Sequence, residues 1–111
     1  MTRERISLDD PSKPGWAAPP VARLCGARLR LRGIRAVPRG WGVLLRTRSI
    51  HTFGMRKPLG VVALDGDLVV RRSRAVPPRR VVVDLGASWI LEIPDGHPLP
   101  AVGASLRILP S

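Results

Sequence analysis

Apolar residues in this chain come in short runs, often alternating with polar ones, and Gly, Pro and Asp punctuate them. Trp41-Gly-Val-Leu-Leu-Arg46 follows a Pro38-Arg39-Gly40 turn and leads on to Ile50. Leu59 to Leu64 and Leu68 to Arg72 flank Asp65-Gly66-Asp67, a strong hairpin signal because both turn positions tolerate positive φ. Pro77-Pro78 breaks the chain, and Arg80 to Asp84 and Ser88 to Ile93 follow. Pro94-Asp95-Gly96 makes another turn before Ala104 to Leu109. About six strands at roughly ten-residue spacing predict a mainly β domain, a compact antiparallel sandwich or partly closed barrel.

The first third of the chain is harder to read. In residues 21–35, Leu24, Ala27 and Leu31 fall at helical spacing and Gly33 can cap a helix. Arg28 to Arg32 alternate strictly instead, as a strand would. The balance favours one short helix near residues 22–33. Residues 1–20 carry Pro11, Pro14, Pro19 and Pro20 without periodicity and are expected to form a flexible arm, with Trp16 able to pack back. Residues 21–111 are expected to be a single domain.

Composition changes this picture modestly. A chain of 111 residues has room for one core, and 44% hydrophobic content is ordinary for a globular protein. Aromatics are scarce, so Val, Leu, Ile and Ala must fill the interior. The net charge of +11 invites a polyanion partner. The 19 basic residues are nearly all Arg, beside 12 Pro and 11 Gly, which is also what GC-rich coding produces, so charge alone does not establish one. Cys25 is the single cysteine, and no internal disulfide can form. The opening Met1 to Asp10 lacks a continuous apolar leader core, and no apolar run reaches the roughly 18 residues of a membrane helix. A cytoplasmic location and no membrane span are the expectation.

Candidate chemistry concentrates in His51-Thr52-Phe53-Gly54-Met55-Arg56. Arg56 can grip a carboxylate or phosphate, and His51 can titrate near neutral pH. The bland alternative is that His51 bonds to backbone, Phe53 and Met55 fill the core and Gly54 makes a bulge. Glu92 lies among Trp89, Ile90, Leu91 and Ile93, where an unpaired carboxylate is costly to bury. It should therefore face solvent or pair with an arginine such as Arg56. His51, Thr52, Arg56 and Glu92 form the candidate ligand face. Arg71, Arg72, Arg74, Arg79 and Arg80, flanking Pro77-Pro78, are candidates for contacting a polyanion. No metal site and no cofactor are expected, since His51, His97 and Cys25 have no ligand-pair spacing. A hydrolase is a weak reading, because no Gly-x-Ser-x-Gly elbow or phosphate-cradling glycine loop is present.

These motifs resemble the family called domain of unknown function 192. Its members carry a His-Thr-x-x-Met-Arg-like box, then Pro and an aliphatic residue, then a hairpin with Asp before the turn. The resemblance covers about residues 28–109 and rests on Arg30, Gly33, His51, Thr52, Met55, Pro58, Asp65, Glu92 and Gly96. It implies a small bacterial or archaeal β domain of uncharacterised, non-catalytic binding or accessory role. The family typically places Asp where this chain has Gly60, and the element around Ile34 looks shortened. The alternatives are a basic nucleic-acid-binding protein and, more weakly, a small hydrolase-type enzyme.

Overall fold

A computed structural model describes residues 2–11, 16, 18–25 and 33–109. The fold is mainly β: among the described residues, 46% lie in strands and one short 3₁₀ turn is present. The strands are β1 (Thr2–Asp9), β2 (Val21–Cys25), β3 (Gly42–Leu45), β4 (Ser49–His51), β5 (Leu59–Leu64), β6 (Val70–Val76), β7 (Val81–Val83), β8 (Trp89–Ile93) and β9 (Arg107–Leu109). The 3₁₀ turn is Gly33–Ala36. Seven strands form one curled sheet in the order β6-β5-β8-β3-β2-β1-β9, while β4 and β7 pair separately. All the pairings are antiparallel except β2 with β3.

The curl nearly closes. Residues leading into β9 return to the opposite edge, where the Val70 N–H donates to the Ala104 carbonyl at 2.8 Å and the Leu106 N–H donates to the Leu68 carbonyl at 3.0 Å. Val69 and Ser105 form a bridge between these hydrogen bonds. A partly closed barrel, one of the two expected architectures, is the result.

Because side chains alternate across a strand, the sheet buries two apolar clusters, one per face. Val21, Leu44, Val62 and Leu91 lie in the cluster enclosed by the curl, with Ala104 and Leu106 from the closing segment. Val43, Leu45, Val61 and Ile90 point the other way, under Ile50 of β4, Val82 of β7 and Ala36 of the 3₁₀ turn. The β4–β7 pair and the turn thus act as a lid on the outer face. Full burial of each such aliphatic side chain contributes about 1.5–3 kcal/mol. The continuous burial of β5, from Leu59 through Leu64, follows from its position between two cores.

Several expectations change. Residues 2–9 are not an arm but strand β1, bonded to β2 on one side and β9 on the other. Ile6 and Leu8 face the core while Arg5 and Ser7 are exposed, a strand alternation too short to stand out. Trp16 does pack back, donating its indole N–H to the Pro98 carbonyl at 3.0 Å. Val21–Cys25, expected in the helix, is β2, with Val21, Ala22 and Leu24 buried. Residues 26–32 of the expected helix, including Ala27, Arg30 and Leu31, lie outside the described residues, and Gly33 opens the 3₁₀ turn. The run from Trp41 to Ile50 breaks at Arg46–Arg48 into β3 and β4, and β4 leaves the main sheet.

The hairpin forms at Asp65, but its left-handed residue is Leu68 (φ 64°) rather than Asp65, Gly66 or Asp67. The Asp65 carboxylate accepts the Asp67 and Val69 N–H groups at 2.8 and 3.0 Å, fixing the turn that delivers Leu68. No described helix is long and apolar enough to cross a membrane.

Candidate functional site

Glu92 lies on β8, opposite Val43 of β3 and Val61 of β5, on the outer face of the sheet. Its residue is 4% exposed, so it is neither solvated nor, among the described residues, paired with a cation. Its Oε1 accepts the Ile34 N–H of the 3₁₀ turn at 2.9 Å. Burial disfavours the charged form, and the single hydrogen bond only partly offsets it, so the pKa is pushed up to about 7. The expected ion pair with Arg56 does not form.

Gly33 makes this arrangement possible. It holds φ at 53°, and a Cβ there would lie 2.6 Å from the Glu92 Oε1. Conformation and close approach both require glycine at this position.

Glu92 opens onto a pocket of about 200 Å³ between the sheet, β4 and the 3₁₀ turn. Ile34, Ile50, Phe53, Met55, Leu59 and Val81 supply apolar lining, and Arg35, Ser49 and His51 supply polar lining. His51 is exposed, and its Nδ1 accepts the Phe53 N–H at 3.2 Å. In the neutral ring the proton therefore sits on Nε2. The His51 and Phe53 rings lie 5.6 Å apart. Phe53 is 51% exposed, so it does not fill the core as the bland alternative held. Sequence reasoning thus named two residues of this pocket, His51 and Glu92, which no hydrogen bond joins.

The other two candidates separate from them. Thr52 is fully buried and acts as a clasp: its hydroxyl donates to the Pro77 carbonyl at 2.7 Å and accepts the Arg80 N–H at 2.9 Å. Its backbone N–H donates to the Arg80 carbonyl at 2.8 Å. Its hydroxyl and backbone N–H thus serve the 77–80 loop, and its carbonyl accepts the Met55 and Arg79 N–H groups, both at 3.2 Å. Arg56 lines an adjoining groove of about 710 Å³, together with Arg35, Arg39, Lys57, Asp95 and His97. Pocket and groove share Ile34, Arg35, Met55 and Leu59. Arg35 bridges them because Gly54 (φ 85°) offers no side chain: a Cβ there would lie 2.9 Å from its guanidinium.

The five polyanion candidates differ in their contacts. Arg71 donates from Nε and Nη2 to the two oxygens of Asp84, both at 3.2 Å, and Arg72 approaches the same carboxylate at 3.8 Å. The hydrogen bonds from Arg71 hold the Asp84 carboxyl below its usual range, against its burial. Arg74 is exposed on β6. Arg79 adopts φ 63° and its N–H donates to the Thr52 carbonyl, while Arg80 reaches the Arg79 carbonyl from Nη1 at 3.4 Å.

Sequence reasoning missed Arg35 and Arg39, which sit in the shortened element around Ile34. It also missed three cation–π contacts: Arg5 over Trp41 at 5.2 Å, and Arg23 and Arg46 over Trp89 at 5.1 and 5.5 Å. Only tertiary pairing brings these residues together, so no local motif signals them.

No family profile matches the chain, and no curated protein matches it. Among solved structures, the chain is similar to a Sinorhizobium meliloti 1021 protein provisionally described as a transcription regulator. The TM-score is 0.72 at 16% identity, over 96% of this chain and 94% of that one. At that identity the likeness shows a shared fold alone.

Proposed function

We propose that this chain is a small non-catalytic binding module whose ligand occupies the Glu92 pocket. The observation that carries the reading is the Glu92 carboxyl: buried, opening onto a concave apolar space and, among the described residues, bonded only to the Ile34 N–H and paired with no cation. Such a group is costly in the free protein and gains from a partner that completes its hydrogen bonds. Apolar walls with a few convergent polar groups and a perturbed titratable residue are the usual make-up of a small-ligand site. With a pKa near neutrality, Glu92 can donate or accept, which suits an uncharged hydroxyl, amide or ring nitrogen. His51, donating from Nε2, and Phe53 would complete the mouth.

The resemblance to the domain of unknown function 192 family belongs to this proposal. In its favour are the partly closed β barrel that the resemblance implies and the placement of two of its matched residues, His51 and Glu92, on one pocket. Its matched Gly33 leaves the room that the Glu92 carboxyl occupies.

The test is an amide NMR titration with neutral sugars, nucleosides and small amides, on wild type and Glu92→Gln. Saturable shifts at Ile34, His51, Phe53 and Met55, altered in Glu92→Gln, are the expected outcome. Shifts confined to other regions would refute the reading.

A second reading, nucleic-acid binding, draws on the +11 charge and on the description of the S. meliloti neighbour. It requires affinity that falls steeply with salt and depends on Arg74, Arg79 and Arg80, since Arg71 and Arg72 already share a carboxylate.

A further inference from the structure

The groove beside the Glu92 pocket gathers four permanent cations, Arg35, Arg39, Arg56 and Lys57, against one carboxylate, Asp95. The ion pairs of the described residues involve Arg71, Arg72 and Arg107, and none of these four. Like charges lining one concavity repel each other, and an anion seated among them relieves that repulsion. An ordinary carboxylate would answer one of them. A phosphate brings nearly two negative charges and three acceptor oxygens, and guanidinium forks match its geometry in bidentate fashion.

Position adds to the charge argument. The groove and pocket are continuous through Arg35, whose path over Gly54 puts it on the lining of both. A ligand with its uncharged part against Glu92 therefore meets the basic groove at its other end. We infer that the groove is the phosphate subsite of the same ligand site, and that the ligand is a small organic phosphate. This deepens the binding-module reading and rests on it for the ligand's uncharged end.

Two charge-matched variants test it. Arg39→Gln/Arg56→Gln/Lys57→Gln strips the groove, and Arg74→Gln/Arg79→Gln/Arg80→Gln removes the same charge elsewhere. Each is titrated by calorimetry with pyrophosphate, a sugar phosphate and a short single-stranded DNA, at about 0.15 M salt to screen diffuse attraction. Circular dichroism first establishes that both variants are folded. The expected result is saturable binding of the sugar phosphate to wild type, weakened about tenfold or more in the groove variant and retained in the control.

Equal losses in both variants, or no saturable binding of either small phosphate, would overturn the subsite. DNA binding that outcompetes the sugar phosphate and is lost in both variants would overturn it in favour of a nucleic-acid surface. Failure of the pocket reading has a separate signature. If the sugar phosphate binds wild type and Glu92→Gln equally and no tighter than pyrophosphate, the groove holds phosphate but the Glu92 end does not engage.

Discussion

Glu92 sets the residue-scale energetics. Its pKa rises from an unfolded value of 4.5 to about 7 in the fold, so the folded state binds the extra proton between those values. Stability therefore falls as pH rises from about 4.5 to about 7 and levels off above, by about 3 kcal/mol in all. Asp84 acts with the opposite sign: its lowered pKa stabilises above the unfolded value of 3.8, and this is lost as pH falls through the folded one. Urea unfolding of wild type against Glu92→Gln across pH isolates the Glu92 contribution. The variant should gain relative to wild type as pH rises through this window, and parallel profiles would mean that the carboxyl is solvated.

Gly33 and Thr52 give two further residue-scale predictions. Gly33→Ala combines a left-handed backbone with a clash against Glu92 Oε1, and should lower stability by about 1–3 kcal/mol and displace the carboxyl. Thr52→Val keeps the shape but orphans the Pro77 carbonyl and Arg80 N–H, again at about 1–3 kcal/mol, without changing affinity for a pocket ligand. Denaturation midpoints and ligand titrations on the same samples separate the two effects. A Thr52→Val protein that is stable but cannot bind would return Thr52 to the ligand face.

At the scale of elements, β1 is the strand whose role is easiest to test. It links β2 to β9, and its Ile6 and Leu8 reach the enclosed core. Ile6→Ala should cost about 2–5 kcal/mol, as truncation in a packed core does. A change within about 0.5 kcal/mol, typical of exposed sites, would make β1 a loose arm after all. How far the fold was legible follows the same division. The strands around the Asp65 hairpin announce themselves because hydrophobic runs and turn chemistry agree. β1 does not, with two apolar residues between charged neighbours. Nor does β2, because Leu24 with Ala27 and Leu31 mimics a helical stripe while parallel pairing to β3 is a non-local fact.

The candidate site divides in the same way. His51 and Glu92 are legible from residue chemistry, whereas only nearness to His51 in sequence groups Thr52 and Arg56 with them. His51 ends β4 and faces out, whereas Thr52, just past the strand, is buried and bonded to the 77–80 loop. The environment of Glu92 was not legible. A carboxyl on a buried strand reads as solvated or ion-paired, and the third option, a raised pKa at the floor of a pocket, depends on the Ile34 amide arriving from a distant turn.

For the whole molecule, the distribution of charge matters more than its net value of +11. Part of it is absorbed internally: Arg71 and Arg72 share Asp84, Arg107 pairs with Asp9 at 2.8 Å, and guanidiniums cover Trp41 and Trp89. A ring already capped by Arg23 and Arg46 is a poor platform for a nucleobase. Among the described residues, Arg35, Arg39, Arg56 and Lys57 gather in the groove beside the Glu92 pocket. Barrel, lid and turn together place one ionisable carboxyl in a pocket that adjoins a basic groove.

The most direct measurement is a pH titration of the Glu92 side-chain carboxyl carbon by NMR, with the Ile34 amide followed in the same samples. A midpoint near 7, shared by both signals, is the predicted result. A midpoint in the ordinary carboxylate range, with an unresponsive Ile34 amide, would mean that Glu92 is solvated, and would remove the observation on which the pocket rests.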